Sequence, residues 1–276
     1  MKIVSFNVNS VRLRLHQLAA HVAAHDPDVI GLQETKVVDE DFPVDAIAEL
    51  GYRAVFAGQK THYGVAILAK TEPRNVRVGF DTDGPDAQTR LIRADVTAPD
   101  GTVVHVVNGY FPQGEKRSHP VKFPAKERFY ADLARLLETE RSADAPLALV
   151  GDFNVAPSDA DIGIGPENAK RWLRTGSTSF LPEEREWFAR LTDWGLADTF
   201  RTLHPKVDDL HSWFDYRSRG FERTPKRGLK IDHVLATRPL IERLTGAGID
   251  QDVRGMNKPS DHCPVWASFD LGSPGA

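Results

Sequence analysis

The chain has 276 residues, a formal net charge of −4, 41% hydrophobic and 27% charged residues, a balance that fits a globular chain with a full core and excludes disordered or collagen-like classes. No apolar run approaches the ~20 residues needed to span a bilayer, and the single cysteine, Cys263, excludes an internal disulfide. The chain enters a strand pattern at once, at Lys2–Phe6, so no secretory leader is expected and the reducing cytoplasm is the expected compartment.

In chain order, short β-branched runs bounded by Gly, Pro, Asn or Asp predict strands at Lys2–Asn7, Val29–Gln33, Val65–Ala69, Arg90–Val96, Val103–Tyr110, Ala148–Phe153, Ile231–Ala236 and Val265–Phe269. Helical periodicity predicts a helix over Arg12–Ala24, with Leu15, Leu18, Ala19 and Val22 on one face and Ser10 as its N-cap. His21 and His25, four apart on this Ala-rich helix, read as a solvated face. A second helix covers Lys126–Thr139 on a stripe of Phe129, Leu133, Leu136 and Leu137; a third, opened by Pro182, covers Glu183–Trp194. Gly163-Ile164-Gly165-Pro166 reads as a loop. Closely spaced strands imply antiparallel pairs and the helices between others imply crossovers. The expected fold is a single α/β domain over residues 1–270, two packed β-sheets flanked by helices in a four-layer α/β sandwich, with residues 271–276 a loose tail.

Two basic stretches stand out against the acidic total. Arg217, Arg219, Arg223, Lys226, Arg227 and Lys230 face only Glu222, and Lys116, Arg117, Lys122, Lys126 and Arg128 form the other. Either alone reads as a solvated loop. Beside a carboxylate cluster neutralised by a metal, they would hold a polyanion.

The strand ends carry the chemistry. The apolar run Leu147-Ala148-Leu149-Val150 stops at Asp152 and Asn154, which strand alternation puts on one side. Other runs end at Asn7 and Asn9, at Gln33 and Glu34, and at Asn108, Tyr110 and Gln113, while Asp232, Asp261 and His262 stand at the starts of the last two. Each has a structural explanation: turn bonds for Asn7 and Asn9, Lys36 as partner of Glu34, Arg227 or Lys230 as partner of Asp232, an interior histidine at His262. Their recurrence at comparable places favours one shared site.

Glu34, Asp152, Asp261, Asn7 and Asn154 are hard oxygen donors, which suits Mg²⁺ or Mn²⁺ and disfavours thiolate zinc. No His-Glu-x-x-His segment exists for a zinc peptidase. Cys263 neighbours His262, but adjacent strand residues point oppositely, so it reads as a buried thiol. Metal-bound carboxylates with a histidine, a phenol and nearby cations match phosphate ester hydrolysis, with an aspartate activating water and Asn, Tyr and His donating to phosphate oxygens.

These blocks are similar to the exonuclease III family of abasic-site endonucleases, within the endonuclease/exonuclease/phosphatase superfamily. The resemblance is carried by Ser5-Phe6-Asn7-Val8-Asn9, Gly31-Leu32-Gln33-Glu34-Thr35-Lys36, Asn108-Gly109-Tyr110-Phe111-Pro112-Gln113-Gly114, Gly151-Asp152-Phe153-Asn154, Ser212-Trp213-Phe214-Asp215-Tyr216-Arg217-Ser218, Ile231-Asp232 and Lys258-Pro259-Ser260-Asp261-His262, and spans Met1 to about Phe269. It implies Glu34 as principal metal ligand with Asn7 and Asp261 beside it, and Asp152 as the residue that activates or orients water. Asn154 then holds the phosphate or that aspartate, His262 contacts the scissile phosphate with Asp232 orienting it, and Tyr110 is the phenol near the phosphate. Gln113 resembles a residue that enters the DNA, with Arg217 and Arg227 on the same face. Trp213, Leu229 and Ile231 build a pocket for an extruded baseless sugar, although Trp213 and Phe214 also read as core aromatics. The implied activity is a monomeric Mg²⁺- or Mn²⁺-dependent DNA repair phosphodiesterase that cuts duplex DNA 5′ to abasic sites and trims 3′ ends. The same chemistry on RNA, a sphingolipid or a phosphoinositide is the alternative, and a DNA-binding module with a dead site ranks last because no carboxylate is missing. Two departures from the family pattern are Ser10, where relatives often have Gly, and a slightly longer loop over Phe221–Leu229.

Overall fold

A computed structural model describes residues 1–272. One six-stranded sheet holds β1 (Lys2–Asn7), β2 (Val29–Gln33), β3 (Arg53–Ala57), β4 (Val65–Ala69), β11 (Leu244–Ile249) and β12 (Val265–Phe269), in the order β11-β12-β1-β2-β4-β3. The other holds β5 (Arg74–Val78), β6 (Leu91–Thr97), β7 (Val103–Tyr110), β8 (Leu147–Asp152), β9 (Leu196–Asp198) and β10 (Asp232–Thr237), in the order β5-β6-β7-β8-β10-β9. Each sheet has one parallel pair, β1 with β2 and β7 with β8, and antiparallel pairing elsewhere. The helices are α1 (Val11–His25), α2 (Val44–Glu49), α3 (Lys122–Glu140), α4 (Pro166–Thr175), α5 (Pro182–Asp193), α6 (Thr199–Leu203), α7 (Arg238–Ile241) and α8 (Gln251–Arg254).

Strand alternation builds three apolar layers. Ile3, Val29, Ile67, Val106, Val150, Val234 and Val265 meet between the sheets. Val4, Phe6, Ile30 and Leu32 face the other way, against Leu18 of α1 and Ile47 of α2. Leu147, Leu149 and Leu235 pack on Leu133 of α3 and Trp187, Phe188 and Leu191 of α5. The four-layer sandwich is therefore dictated by two-sided burial of the central strands. An amide bridges the two sheets: Asn108 of β7 donates to the carbonyls of Leu32 and Ala66 (2.9 Å each) and accepts from Gln33 (2.7 Å).

Several sequence expectations change. β3, β5, β9 and β11 lie outside the predicted strands, because β5 is an exposed edge of mostly polar residues, β11 carries two glycines and β9 has three residues. α4 is short and buries no residue fully, its apolar stripe being only Ala169, Trp172 and Leu173, and the loop through Gly163 ends where Pro166 opens it. α3 starts four residues early because Pro124 is tolerated in a first turn. Ser10 makes no side-chain capping bond. His21 and His25 are not a solvated face: His21 is buried, and the two rings lie 2.6 and 3.3 Å from Asp250, tying α1 to the chain just before α8. Leu271, assigned to the loose tail, is buried in the central layer, and the rest of that tail from Ser273 lies outside the described residues. Cys263 is buried, as expected. Among the described residues no helix is long and apolar enough to cross a membrane.

Candidate active site

The inward rows of five strands end together. Asn7, Gln33, Asn108, Tyr110 and Asp152 each continue a row of inter-sheet core residues, and Asp232 begins one, so the polar groups replace the apolar core at a single end of the sandwich. Parallel register places Tyr110 beside Asp152, and antiparallel register places Asp232 on its other side. Gly151 makes the first approach feasible. A Cβ there would lie 2.0 Å from the Gly109 carbonyl oxygen, so any larger residue would push β7 from β8 just before their functional ends.

The side chains meet over a cavity of about 170 Å³ lined by Glu34, Tyr110, Gln113, Asp152, Asn154, Trp172, Ser179, Trp213, Ile231, Asp261 and His262. Asn7 donates its amide to Glu34 and to Asp152, 2.9 Å each. His262 directs Nδ1 at Asp232 (2.9 Å) and holds Nε2 3.8 Å from Asp152. Ser212, to which the sequence reading gave no role, donates to Asp232 at 2.6 Å and accepts from the Ile231 and Asp232 amides. Asn154 lies beyond the strand at φ +52, and its backbone N–H holds Asp152 at 3.0 Å. Strand alternation therefore explains Asp152 but not Asn154, which the turn brings back.

Burial pushes the Asp152 carboxyl up to about 7, with the charges of Asp232 and Glu34 adding to it and His262 opposing. Burial acts to lower His262, but the carboxylates of Asp232 and Asp152 outweigh it and hold the imidazole up at about 10. Burial likewise acts to raise Glu34, and Lys36 at 2.7 Å reverses this and keeps it below the usual range. Desolvation first, then Glu34 and Asp152, pushes the Tyr110 phenol well above its ordinary value, so it stays a donor. Arg90 lies over both Tyr63 and Tyr110, 4.3 and 4.5 Å from the ring centres, a further contact with no sequence signal.

Other expected site residues sit differently. Asn7 faces the carboxylates with its NH₂, and its oxygen accepts from the Asn9 amide, so it orients carboxylates rather than offering a ligand oxygen. Both Asp261 oxygens are engaged, by Asn9 at 2.8 Å and the Trp213 indole at 3.1 Å. Leu229 is fully buried and supports Trp213 from behind through a backbone bridge, so it does not face the pocket. Trp213 and Ile231 do line it, whereas Phe214 is core. Asp232 pairs with neither Arg227 nor Lys230. Lys230 and Lys126 leave the basic surface altogether: both are fully buried, on Asp198 and Glu184. Arg217 and Arg227 are exposed, and Arg227 borders a second cavity whose wall includes Trp172 and Trp213.

The carboxylates of Glu34 and Asp152 and the His262 ring bring ligand atoms within 4.8 Å of one another. With His262 held protonated by Asp232, the two carboxylates remain as hard oxygen donors, a set that fits a small divalent cation.

Residues 4–262 match the model of the endonuclease/exonuclease/phosphatase family, and the chain belongs to that family, on its exonuclease III branch. It is 56% identical to exodeoxyribonuclease III of Haemophilus influenzae over 98% of this chain and 100% of that one. It is 31% identical to the DNA repair nuclease APEX1 of Danio rerio, over 96% of this chain and 81% of the other. Among solved structures, an AP endonuclease from Archaeoglobus fulgidus superposes with a TM-score of 0.89 at 34% identity, covering 98% of this chain and 99% of that one. A Neisseria 3′ phosphatase bound to a product DNA hairpin superposes with 0.86 at 38% identity, covering 98% and 99%.

Proposed function

We propose that this protein is a monomeric, cytoplasmic DNA repair nuclease that uses Mg²⁺ or Mn²⁺ to cut duplex DNA 5′ to abasic sites and to trim 3′ ends. The observation that carries this reading is the convergence of Glu34, Asp152, His262 and Tyr110 on one pocket, in a chain similar along its whole length to an exodeoxyribonuclease III. Asp152, with its pKa near neutrality, takes the proton of the attacking water. His262, charged and aimed by Asp232, donates from Nε2 to a phosphate oxygen. Tyr110 adds a neutral donor. A divalent cation held by Glu34 and Asp152 would polarise the phosphoryl oxygen and steady the leaving oxygen. Trp213 and Ile231 give the pocket an apolar wall suited to a sugar without its base, which costs less to extrude because it neither stacks nor pairs.

Arg171, Arg223 and Arg227 surround the adjoining cavity and have no carboxylate partner among the described residues, which favours a polyanionic nucleic acid over a lipid. The test is a side-by-side rate measurement on abasic duplex, intact 3′ end and 3′-phosphate; an abasic duplex left whole with Mg²⁺ present would overturn the reading. Glu34→Ala should shift the Mg²⁺ titration to higher concentration as well as lowering the rate, and an unchanged midpoint would remove Glu34 as a ligand.

A further inference from the structure

Behind the pocket lies an ion pair with no task in the chemistry above. Lys126 of α3 and Glu184 of α5 are both fully buried, with Nζ and Oε1 2.5 Å apart. Taking two charges out of water is costly, and an apolar pair of similar volume would often pack as well, so stability does not explain the pair. Its remaining hydrogen bonds do. Lys126 donates to the Asn154 carbonyl at 2.8 Å and reaches the Gln113 carbonyl at 3.4 Å. The second Glu184 oxygen accepts from the Ser179 and Leu181 amides, 2.8 Å each. Gln113, Asn154 and Ser179 come from three separate chain segments, and all three line the pocket. Asn154 is held in the left-handed region, and its own N–H grips Asp152.

We propose that Lys126 and Glu184 are positioning residues: one buried ionic clasp fixes three loop backbones behind the pocket and thereby aims Asp152. A charged donor on the Asn154 carbonyl fixes that peptide more firmly than a neutral one, and the amide on its other side of the residue sets the carboxylate. The inference rests on the reading of Asp152 and Asn154 as groups at the reacting phosphate.

The test is single-turnover cleavage of an abasic duplex, with enzyme in excess, by Lys126→Met, Glu184→Gln and the double variant. The double variant removes both charges and keeps the shapes, so it leaves no unpaired buried charge and should recover the thermal midpoint that Lys126→Met loses. Its saturating rate should nonetheless fall on the order of 10- to 100-fold, the effect of a small misplacement of a reacting group. The half-saturating enzyme concentration should stay within about twofold of the parent, as expected when only a transition-state contact is lost. Glu184→Gln, which keeps an oxygen for the two amides but cannot pair with Lys126, should show the same split in milder form. A folded double variant whose saturating rate is within about twofold of the parent overturns the clasp. Asn154→Ala, run alongside, separates the two readings: a parental rate there sinks the site assignment itself.

Discussion

At the residue scale, Asp152 and His262 divide the acid and base roles because their surroundings push both pKa values upward from different starting points. Asp152 rises to about 7 chiefly through burial; His262 rises to about 10 because two carboxylates overcome burial. A base works deprotonated, so the rate should fall as pH drops through the Asp152 pKa, and a bound cation moves that limb to lower pH. His262 works protonated, so no loss is expected between about pH 7 and 9; a decline there in a pH–rate profile would contradict it as the charged donor. Asp152→Asn should lower kcat by roughly 10²- to 10⁴-fold, the usual value of a general base, with DNA affinity in a gel-shift assay largely kept. Retained turnover would end the water-activation role.

At the element scale, the turn between β1 and α1 stores strain beside the site. Asn9 and Ser10 in this turn, and Glu34 and Lys36 in the segment after β2 that it packs on, all have positive φ, and Ser10 sits at +91°, a region where only glycine is comfortable. The turn is pinned by the Ser10 amide on the Glu34 carbonyl at 2.8 Å, so the strain accompanies the placement of Glu34. The Ser10 side chain caps nothing, which leaves little to lose on substitution. Relief of about 1–3 kcal/mol of strain should exceed the ~0.5–1 kcal/mol entropic cost of glycine, so Ser10→Gly should be stabilising by about 1 kcal/mol. For a chain of this size that is a thermal midpoint roughly 2 °C higher by calorimetry, and a lower midpoint would refute the strain.

At the scale of the whole molecule, buried polar networks hold the functional end of the sandwich together. Lys230, between Leu229 and the pocket residue Ile231, pairs with Asp198 at 2.6 Å, and His233 joins them. Despite burial, Lys230 and His233 hold the Asp198 carboxyl far below the usual carboxylate range. A carboxylate depressed in the folded state contributes stability that is present above its unfolded pKa of about 4 and fades as pH falls below it. Asp198→Asn leaves buried Lys230 with only the longer, 3.8 Å pairing to Asp161 and should cost about 3 kcal/mol in urea unfolding at pH 7, the low end for breaking a buried pair. The gap to the parent should narrow below about pH 4, and a constant gap would contradict the ion pair as its source.

The strands that carry the site were legible in the sequence because each is buried on both faces and stops abruptly at a polar residue, as at Val150 to Asp152 and Leu32 to Glu34. Period-2 alternation then settles which residues share a side, and this is a local property of the chain. Partners were not legible. Asp232 chooses His262 and Ser212 over Arg227 and Lys230, Leu229 turns inward, and Lys126 and Lys230 trade the surface for buried carboxylates. These choices depend on which segments two packed sheets bring within a few ångströms, and spacing along the chain does not encode that distance. The sequence by itself determined the strands that carry the site, the oxygen-donor chemistry and the residues at their ends. Only the tertiary structure decided which of those residues meet, and which lie behind the others to hold them in place.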